Sequence, residues 1–342
     1  MHAPNPKVVI TSRVHPEVVS FLALHGFVVE ANADWQAWPR AELRRRINDA
    51  EALIAFMSDH VTDDLLAACP RLKIIAAALK GYDNFDVAAC TRRGIWLSVV
   101  PDVLAAPTAE LAIGLAIALA RNITAGDRLI RRGGYAGWRP ILYGATLAGA
   151  TVGIIGMGVV GRAIAERLRG FEPGRIFYCD ARNLDRVTRQ WDLPRPAPFD
   201  RVLSESDFLF LALPLDARTK HIIDRDALAR VRPGCRLINP ARGSLVDEEA
   251  VADALAAGRL AGYAADAFEM KGWARGAERP RRIAKRLLAD DGRTVLTPHL
   301  GSAVDAARRD IAMEAAHNVV DWIEGHAPRG AVNRLQGSLA RC

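Results

Sequence analysis

Long apolar runs are missing from this sequence. The most apolar stretch, LAIGLAIALA at 111–120, has about half the residues a bilayer-spanning helix needs, so it reads as a buried helix. The opening, MHAPNPKVVI, reaches a strand-like run almost at once and has none of the layout of a secretion signal. Cysteine is scarce as well. Cys69, Cys90, Cys179, Cys235 and Cys342 are scattered, odd in number and without a C-x-x-C pair. That pattern argues against a disulfide framework or a zinc site, so no metal is expected, and it points to a reducing cytoplasm. Low-complexity segments and internal repeats are also lacking.

Charge is nearly balanced along most of the chain. The formal net charge is +7, but most Arg and Lys alternate with acids, as on a solvated surface. The exception is KGWARGAERPRRIAKR at 271–286, with seven basic residues against one Glu. No nucleic-acid module surrounds it, so neither nucleic acid nor a membrane is expected as a partner, and a solvated surface is the plainer reading.

What is present is alternation. The 342 residues suffice for two domains with cores of their own. In the first hundred, KVVIT, FVVE, ALIAF, LKIIAAA and WLSVV read as strands, with HPEVVSFLALHG, PRAELRRRIND and TDDLLAAC as the helices between them. A long helical pattern follows, PTAELAIGLAIALARNI, with Thr108 as a cap. Alternation then restarts with TVGII, RIFYCD, DFLFLAL, CRLINP, LAGYAAD and TVLTP, and a last helix, VDAARRDIAMEAAHNVVDWIEG, ends the pattern. Alternating strands and helices imply parallel sheets covered on both faces. The expected fold is therefore α/β, with two doubly wound parallel-sheet domains.

The segment TVGIIGMGVVGRAIAERL places G-x-G-x-x-G at Gly156, Gly158 and Gly161, between a strand and a helix. Asp180 ends the next strand, 19 residues after Gly161. This context makes a weak motif a strong dinucleotide signal. Gly156 permits the turn, Gly158 lets a pyrophosphate approach the backbone, and Gly161 lets the helix pack close. The pyrophosphate meets unpaired N–H groups at the helix start. Asp180 suits the ribose hydroxyls and repels a 2′-phosphate, which favours NAD, while nearby Arg182 softens the preference against NADP.

Three polar residues follow later strand ends: Arg242 in INPARGSLVDE, Glu269 in DAFEM and His299 in TPHLGS. An open α/β sheet binds its ligands there. A Glu can orient and charge a His that cycles a proton, and Arg offers a planar fork for an oxyanion. Each has a bland alternative, a satisfied core histidine or a surface charge. Lys80, at the exit of the buried strand in IIAAALKGYDNFD, either reaches solvent or waits for an anion.

The order glycine-rich turn, Arg, Glu, His resembles the NAD-dependent D-2-hydroxyacid dehydrogenase family over nearly the whole chain, and NPARGSLVDE and TPHLGS are close to its signatures. The resemblance implies a discontinuous, flavodoxin-like substrate domain at 1–103 and 302–342, a Rossmann NAD domain at 104–301, and a homodimer. It implies that Arg242, Glu269 and His299 are catalytic. It places Lys80, Thr108, Gly156, Gly158, Val159, Val160, Gly161, Asp180, Ala212, Leu213, Pro214, Pro240, Asp266 and His299 against the cofactor, with Asp266 on the nicotinamide carboxamide. Substrate contacts would come from Lys80, Arg242, Met57, Trp138, Tyr143, Ser302 and Arg308. Met57 reads equally well as core filler, and Trp138 and Tyr143 as a loop that meets a partner subunit.

Two departures from the family's usual pattern stand out: Lys80, where a small or apolar residue is usual, and FEMKGWARGAERPRRI after Glu269. With AFMSD, ALKGYDNFD, GWRPILYG and TPHLGSAV they resemble the phosphite-oxidising (phosphonate dehydrogenase) branch. The implied reaction is oxidation of phosphite, a small anionic substrate, to phosphate with hydride transfer to NAD. Lys80 would sit beside Arg242 in a closed cleft, and His299 would be the base for water, with Arg242 open as a participant. The alternatives are a generic D-2-hydroxyacid dehydrogenase of the glyoxylate/hydroxypyruvate reductase type and a non-enzymatic NAD-sensing protein. A formate dehydrogenase fits less well, because it pairs its His with Gln.

Overall fold

The computed structural model describes residues 5–100, 102–182, 194–271, 280–289 and 292–335. The chain divides into two compact units, Met1–Leu104 with Val304–Cys342, and Ala105–Ala303.

In the first unit the apolar runs become β1 (Lys7–Ile10), β2 (Val28–Ala31), β3 (Ala52–Ala55), β4 (Ile74–Ala77) and β5 (Trp96–Ser98). They pair in parallel in the order β2-β1-β3-β4-β5, the flavodoxin-type arrangement. Every residue of β3 and β4 is buried, because helices cover both faces of a parallel sheet and its central strands become unbroken apolar runs. The helix Asp305–Ile323, from the end of the chain, joins this core: Ile311, Ala315 and Val319 pack with Val8, Ile54 and Ile74. Burying each such Ile or Val stabilises by about 1.5–3 kcal/mol, which fixes the chain's end onto its beginning.

The second unit holds β6 (Thr151–Ile155), β7 (Arg175–Cys179), β8 (Arg195–Pro196), β9 (Phe208–Leu211), β10 (Cys235–Asn239), β11 (Leu260–Ala265) and β12 (Thr294–Leu296). Their order is β12-β11-β10-β9-β6-β7-β8, all parallel. Counted from β6, this is the Rossmann order 3-2-1-4-5-6 with one strand added at the far edge. Both sheets have the expected doubly wound class.

Two details differ from the sequence reading. The two-residue edge strand β8 was not expected; its Pro196 is tolerated because an edge strand has one side without ladder bonds. The long helix runs Ala105–Ala120 and does not continue to residue 123. Asn122 takes a left-handed φ of 54°, and a second helix, Ile123–Arg131, starts there. Thr108 consequently lies inside the helix rather than capping it, and its Oγ1 donates to the Gly301 carbonyl at 3.3 Å. Among the described residues no single helix is long and apolar enough to cross a membrane.

Candidate active site

In the second unit the glycine-rich turn follows β6. Gly156 has φ 94°, and a Cβ there would meet the Ala212 carbonyl oxygen at 2.5 Å. A Cβ on Gly161 would lie 2.1 Å from the Gly156 oxygen, so the helix Val159–Leu168 packs on the turn as only glycine allows. Gly158 differs. Its φ is −72°, and nothing lies closer to its ideal Cβ than Arg182 Nη2 at 3.8 Å. The space over this glycine, at the N-terminus of a ten-residue helix, fits the pyrophosphate of a dinucleotide. Val159 and Val160 open that helix and are half-buried.

Asp180 stands just beyond β7. Its Oδ2 accepts from the Met157 backbone N–H at 2.7 Å, and its Oδ1 from the Arg182 N–H at 2.9 Å. The Arg182 guanidinium adds Nε and Nη2 bonds, each 3.0 Å. Burial works to raise the Asp180 carboxyl, but the Arg182 side chain and the Arg182 and Met157 N–H groups outweigh it and hold it at about 2. The carboxylate is charged at any working pH and ties the glycine turn to the end of β7.

Ala212, Leu213 and Pro214 follow β9, Pro240 and Arg242 follow β10, and Asp266 and Glu269 follow β11. Together with β6 and β7, these strands bring their C-terminal ends to one edge of a parallel sheet. Arg242 is half-buried, its carbonyl accepting from Asn239 Nδ2 at 2.9 Å. The next residue, Gly243, lies so close to the Phe268–Glu269 peptide that a Cβ would sit 2.2 Å from Glu269 N. The turns carrying Arg242 and Glu269 therefore abut.

Glu269 is buried, at 4 % exposure, and its carboxylate is held from two sides. His221 Nε2 lies 2.6 Å from Oε1, and the Glu248 N–H donates to Oε2 at 3.4 Å. Glu248 returns the bond, its Oε1 accepting from Glu269 N at 2.7 Å. Burial pushes the Glu248 carboxyl up to about 6; the Glu269 N–H opposes the rise and the Glu269 charge adds to it. Sequence reading missed both His221 and Glu248. The local sequence at His221 is TKHIID, ten residues past the end of β9.

His299 follows β12 in a left-handed conformation, φ 64°, which a non-glycine residue adopts at a cost. Asp266 braces this turn. Its Oδ1 accepts from Thr297 Oγ1 at 2.6 Å and Leu300 N at 2.7 Å, and its Oδ2 from Gly301 N at 2.8 Å. The resemblance gives Asp266 to the nicotinamide; the bonds it makes here brace the turn around His299. Ser302 is half-buried in the same segment. Trp138 and Tyr143 are 86 % and 82 % exposed, so neither packs tightly within its own chain. The base of their segment is pinned, with Asn122 Nδ2 donating to the Leu142 and Tyr143 carbonyls at 3.1 and 3.2 Å.

The first unit, taken by itself, places Met57 and Lys80 beyond the ends of β3 and β4. Met57 is half-buried against the core that holds Val61 and Leu79. Asp59 fixes its loop, Oδ2 accepting from Phe56 N at 2.7 Å and Thr11 Oγ1 at 2.5 Å. The Arg308 guanidinium lies 5.4 Å from the centre of the Phe56 ring, and burial holds its pKa below the ordinary arginine value. Lys80 Nζ has the Asp102 carboxylate at 3.8 Å, its side chain 36 % exposed.

Most of the segment after Glu269, including Trp273, and the first part of the basic run 271–286 lie outside the described residues. At the far end of that run Arg286 pairs with Glu249 at 3.0 Å and Asp253 at 2.7 Å, as on an ordinary charged surface. The buried thiols of Cys69, Cys90 and Cys235 are pushed up by burial to about 11, 12 and 12, which leaves them poor nucleophiles.

Comparison with known proteins places this geometry in context. Residues 113–301 match the family model described as D-isomer specific 2-hydroxyacid dehydrogenase, NAD binding domain. A glyoxylate reductase of Pyrococcus horikoshii is 36 % identical over 334 residues, covering 96 % of each chain. That of Pyrococcus furiosus is 35 % identical with the same coverage. Among solved structures, the TT0316 protein of Thermus thermophilus superposes with a TM-score of 0.84 at 32 % identity, covering 96 % of this chain and 100 % of that one. An NADPH-dependent glyoxylate/hydroxypyruvate reductase of Sinorhizobium meliloti, in complex with citrate, gives 0.81 at 27 % identity, covering 96 % and 97 %.

Proposed function

Because this chain belongs to the D-2-hydroxyacid dehydrogenase family, we propose that it transfers a hydride between NAD and a small oxyanion, and that this oxyanion is phosphite. The dehydrogenase activity rests on one observation above the others: the glycine turn, Asp180, Arg242, Glu269 and His299 all follow C-terminal strand ends of one parallel sheet. Bound NAD supplies a hydride acceptor. Arg242 holds the oxyanion through its planar fork, and the charge of Lys80, which follows β4 of the other unit, suits a substrate that is a dianion. Water would attack phosphorus, forming the new P–O bond as the P–H bond breaks, and bound NAD would accept the hydride. His299 takes the proton from water, and Glu269 orients it.

A second reading, reduction of glyoxylate or hydroxypyruvate, has a specific observation behind it. Three of the proteins named above are glyoxylate or glyoxylate/hydroxypyruvate reductases by name, which supports this reading better than phosphite. Phosphite is favoured by Lys80, a cation where the resemblance implies a small or apolar residue. Substrate choice lies in such side chains and not in the shared fold.

NADH formation by the purified protein from NAD and phosphite, set beside NADH consumption with glyoxylate and hydroxypyruvate, separates the readings. Turnover with phosphite and none with the oxo acids supports the first, and the reverse supports the second. No turnover with any of them removes the enzymatic reading in favour of an NAD-binding protein.

We further infer a homodimer. Trp138 and Tyr143 are large, exposed and anchored at their base, as residues that enter a partner subunit are.

A further inference from the structure

His221 has no part in the motif that carries the chemistry, yet it touches the one buried carboxylate within it. It lies ten residues beyond the end of β9 (Leu211), in a left-handed conformation of φ 52°, which a non-glycine side chain adopts only when its surroundings impose it. Three contacts impose it. The His221 N–H donates to the Ser244 carbonyl at 2.8 Å, inside the turn that follows Arg242. Ile223 N bonds the Leu245 carbonyl at 3.1 Å, and Asp247 N bonds the Ile223 carbonyl at 3.0 Å, lacing the two segments together. The imidazole then reaches Glu269 Oε1 at 2.6 Å. An ionised carboxylate only accepts, so Nε2 carries the proton of this bond. With Glu248 N on Oε2, both oxygens of Glu269 are held, and the carboxylate cannot rotate without breaking one of the two bonds.

We propose that His221 is a positioning residue of the reaction: it holds Glu269 Oε1 and so fixes the carboxylate that orients His299. This rests on the reading of Glu269 and His299 given above. His221 touches neither substrate nor cofactor in this scheme and acts through Glu269.

The test uses the full-length enzyme with whichever substrate turns over, and the variants His221→Asn, His221→Gln, Glu269→Gln and His221→Asn with Glu269→Gln. Asn tolerates the left-handed backbone but is too short to reach Glu269, whereas Gln places an N–H donor about where Nε2 stands. His221→Asn should lower kcat by roughly 10- to 100-fold, as misplacement of a catalytic group does. The substrate KM and the NADH dissociation constant should stay within about twofold, because uniform binding is untouched. His221→Gln should recover most of the lost kcat. In the Glu269→Gln background, His221→Asn should cost almost nothing further, because the two act as one unit.

Unchanged kcat in His221→Asn, no recovery with Gln, a loss confined to NADH affinity, or an equal loss in the Glu269→Gln background would each overturn the proposal. Full activity of Glu269→Gln alone would instead overturn the underlying reading of Glu269, and the proposal with it.

Discussion

Arg182 grips Asp180 as a fork, Nε on Oδ1 and Nη2 on Oδ2, both at 3.0 Å. If Asp180 meets the adenosine ribose, the carboxylate that would repel a 2′-phosphate also holds the cation that would receive one. Asp180→Ala removes the repulsion and releases Arg182 at once. We expect the ratio of kcat/KM for NAD over NADP to fall by about tenfold or more, the value of one or two charged hydrogen bonds. Steady-state kinetics with both cofactors checks this, and an unchanged ratio would remove Asp180 from the ribose site.

Gly158 and Gly161 should separate binding from packing. Alanine at Gly158 meets only Arg182 Nη2, at an ordinary contact distance of 3.8 Å, so the melting temperature should hold while NADH affinity falls, because the methyl occupies the approach of the pyrophosphate. Alanine at Gly161 meets the Gly156 carbonyl oxygen at 2.1 Å. It should destabilise the chain by about 1–3 kcal/mol, as overpacking does, and weaken NADH binding too. Thermal melts and NADH fluorescence titration distinguish the two variants, and identical behaviour would contradict the assigned roles.

These glycines were legible in the sequence because their spacing sits between a strand and a helix. The strands were legible for a different reason: parallel sheets buried on both faces write continuous apolar runs, as in LIA of β3 and LFL of β9. His221 was not legible. Its meaning depends on Glu269, 48 residues away in the chain, and no local pattern records that approach. Nor did the sequence show that Thr108 lies within a helix and binds the turn carrying Gly301, or that Asp266 braces the backbone around His299. Side chains that read as cofactor contacts also hold the site's own loops, and that second use appears only when the strand ends converge.

Glu248 predicts a pH dependence of stability. Its carboxyl rises from 4.5 to about 6 on folding, first through burial. Between those values the folded chain keeps a proton that the unfolded chain has released, so this group's contribution falls as pH rises through the window. Glu248→Gln does not titrate. Relative to the parent, its unfolding free energy should gain about 2 kcal/mol between pH 4.5 and pH 7. Urea unfolding at several pH values measures this, and parallel curves for the two proteins would contradict it.

Trp138 and Tyr143 test the dimer. The parent should sediment as a dimer, and joint replacement of both by Ala should weaken association by about 2 kcal/mol or more, as loss of buried aromatic anchors does. NADH affinity should remain. A parent that is monomeric at micromolar concentration would refute the homodimer.

The central proposal is that hydride passes from phosphorus to nicotinamide on a site that includes Arg242 and His299. Its most direct measurement uses phosphite carrying deuterium on phosphorus, with mass analysis of the reduced cofactor in the parent enzyme. The account predicts that each NADH formed carries one deuterium and that phosphate appears in equal amount. Unlabelled NADH, or no NADH from phosphite while glyoxylate oxidises NADH readily, would contradict it and return the chain to the oxo-acid reductases it resembles at 36 % identity.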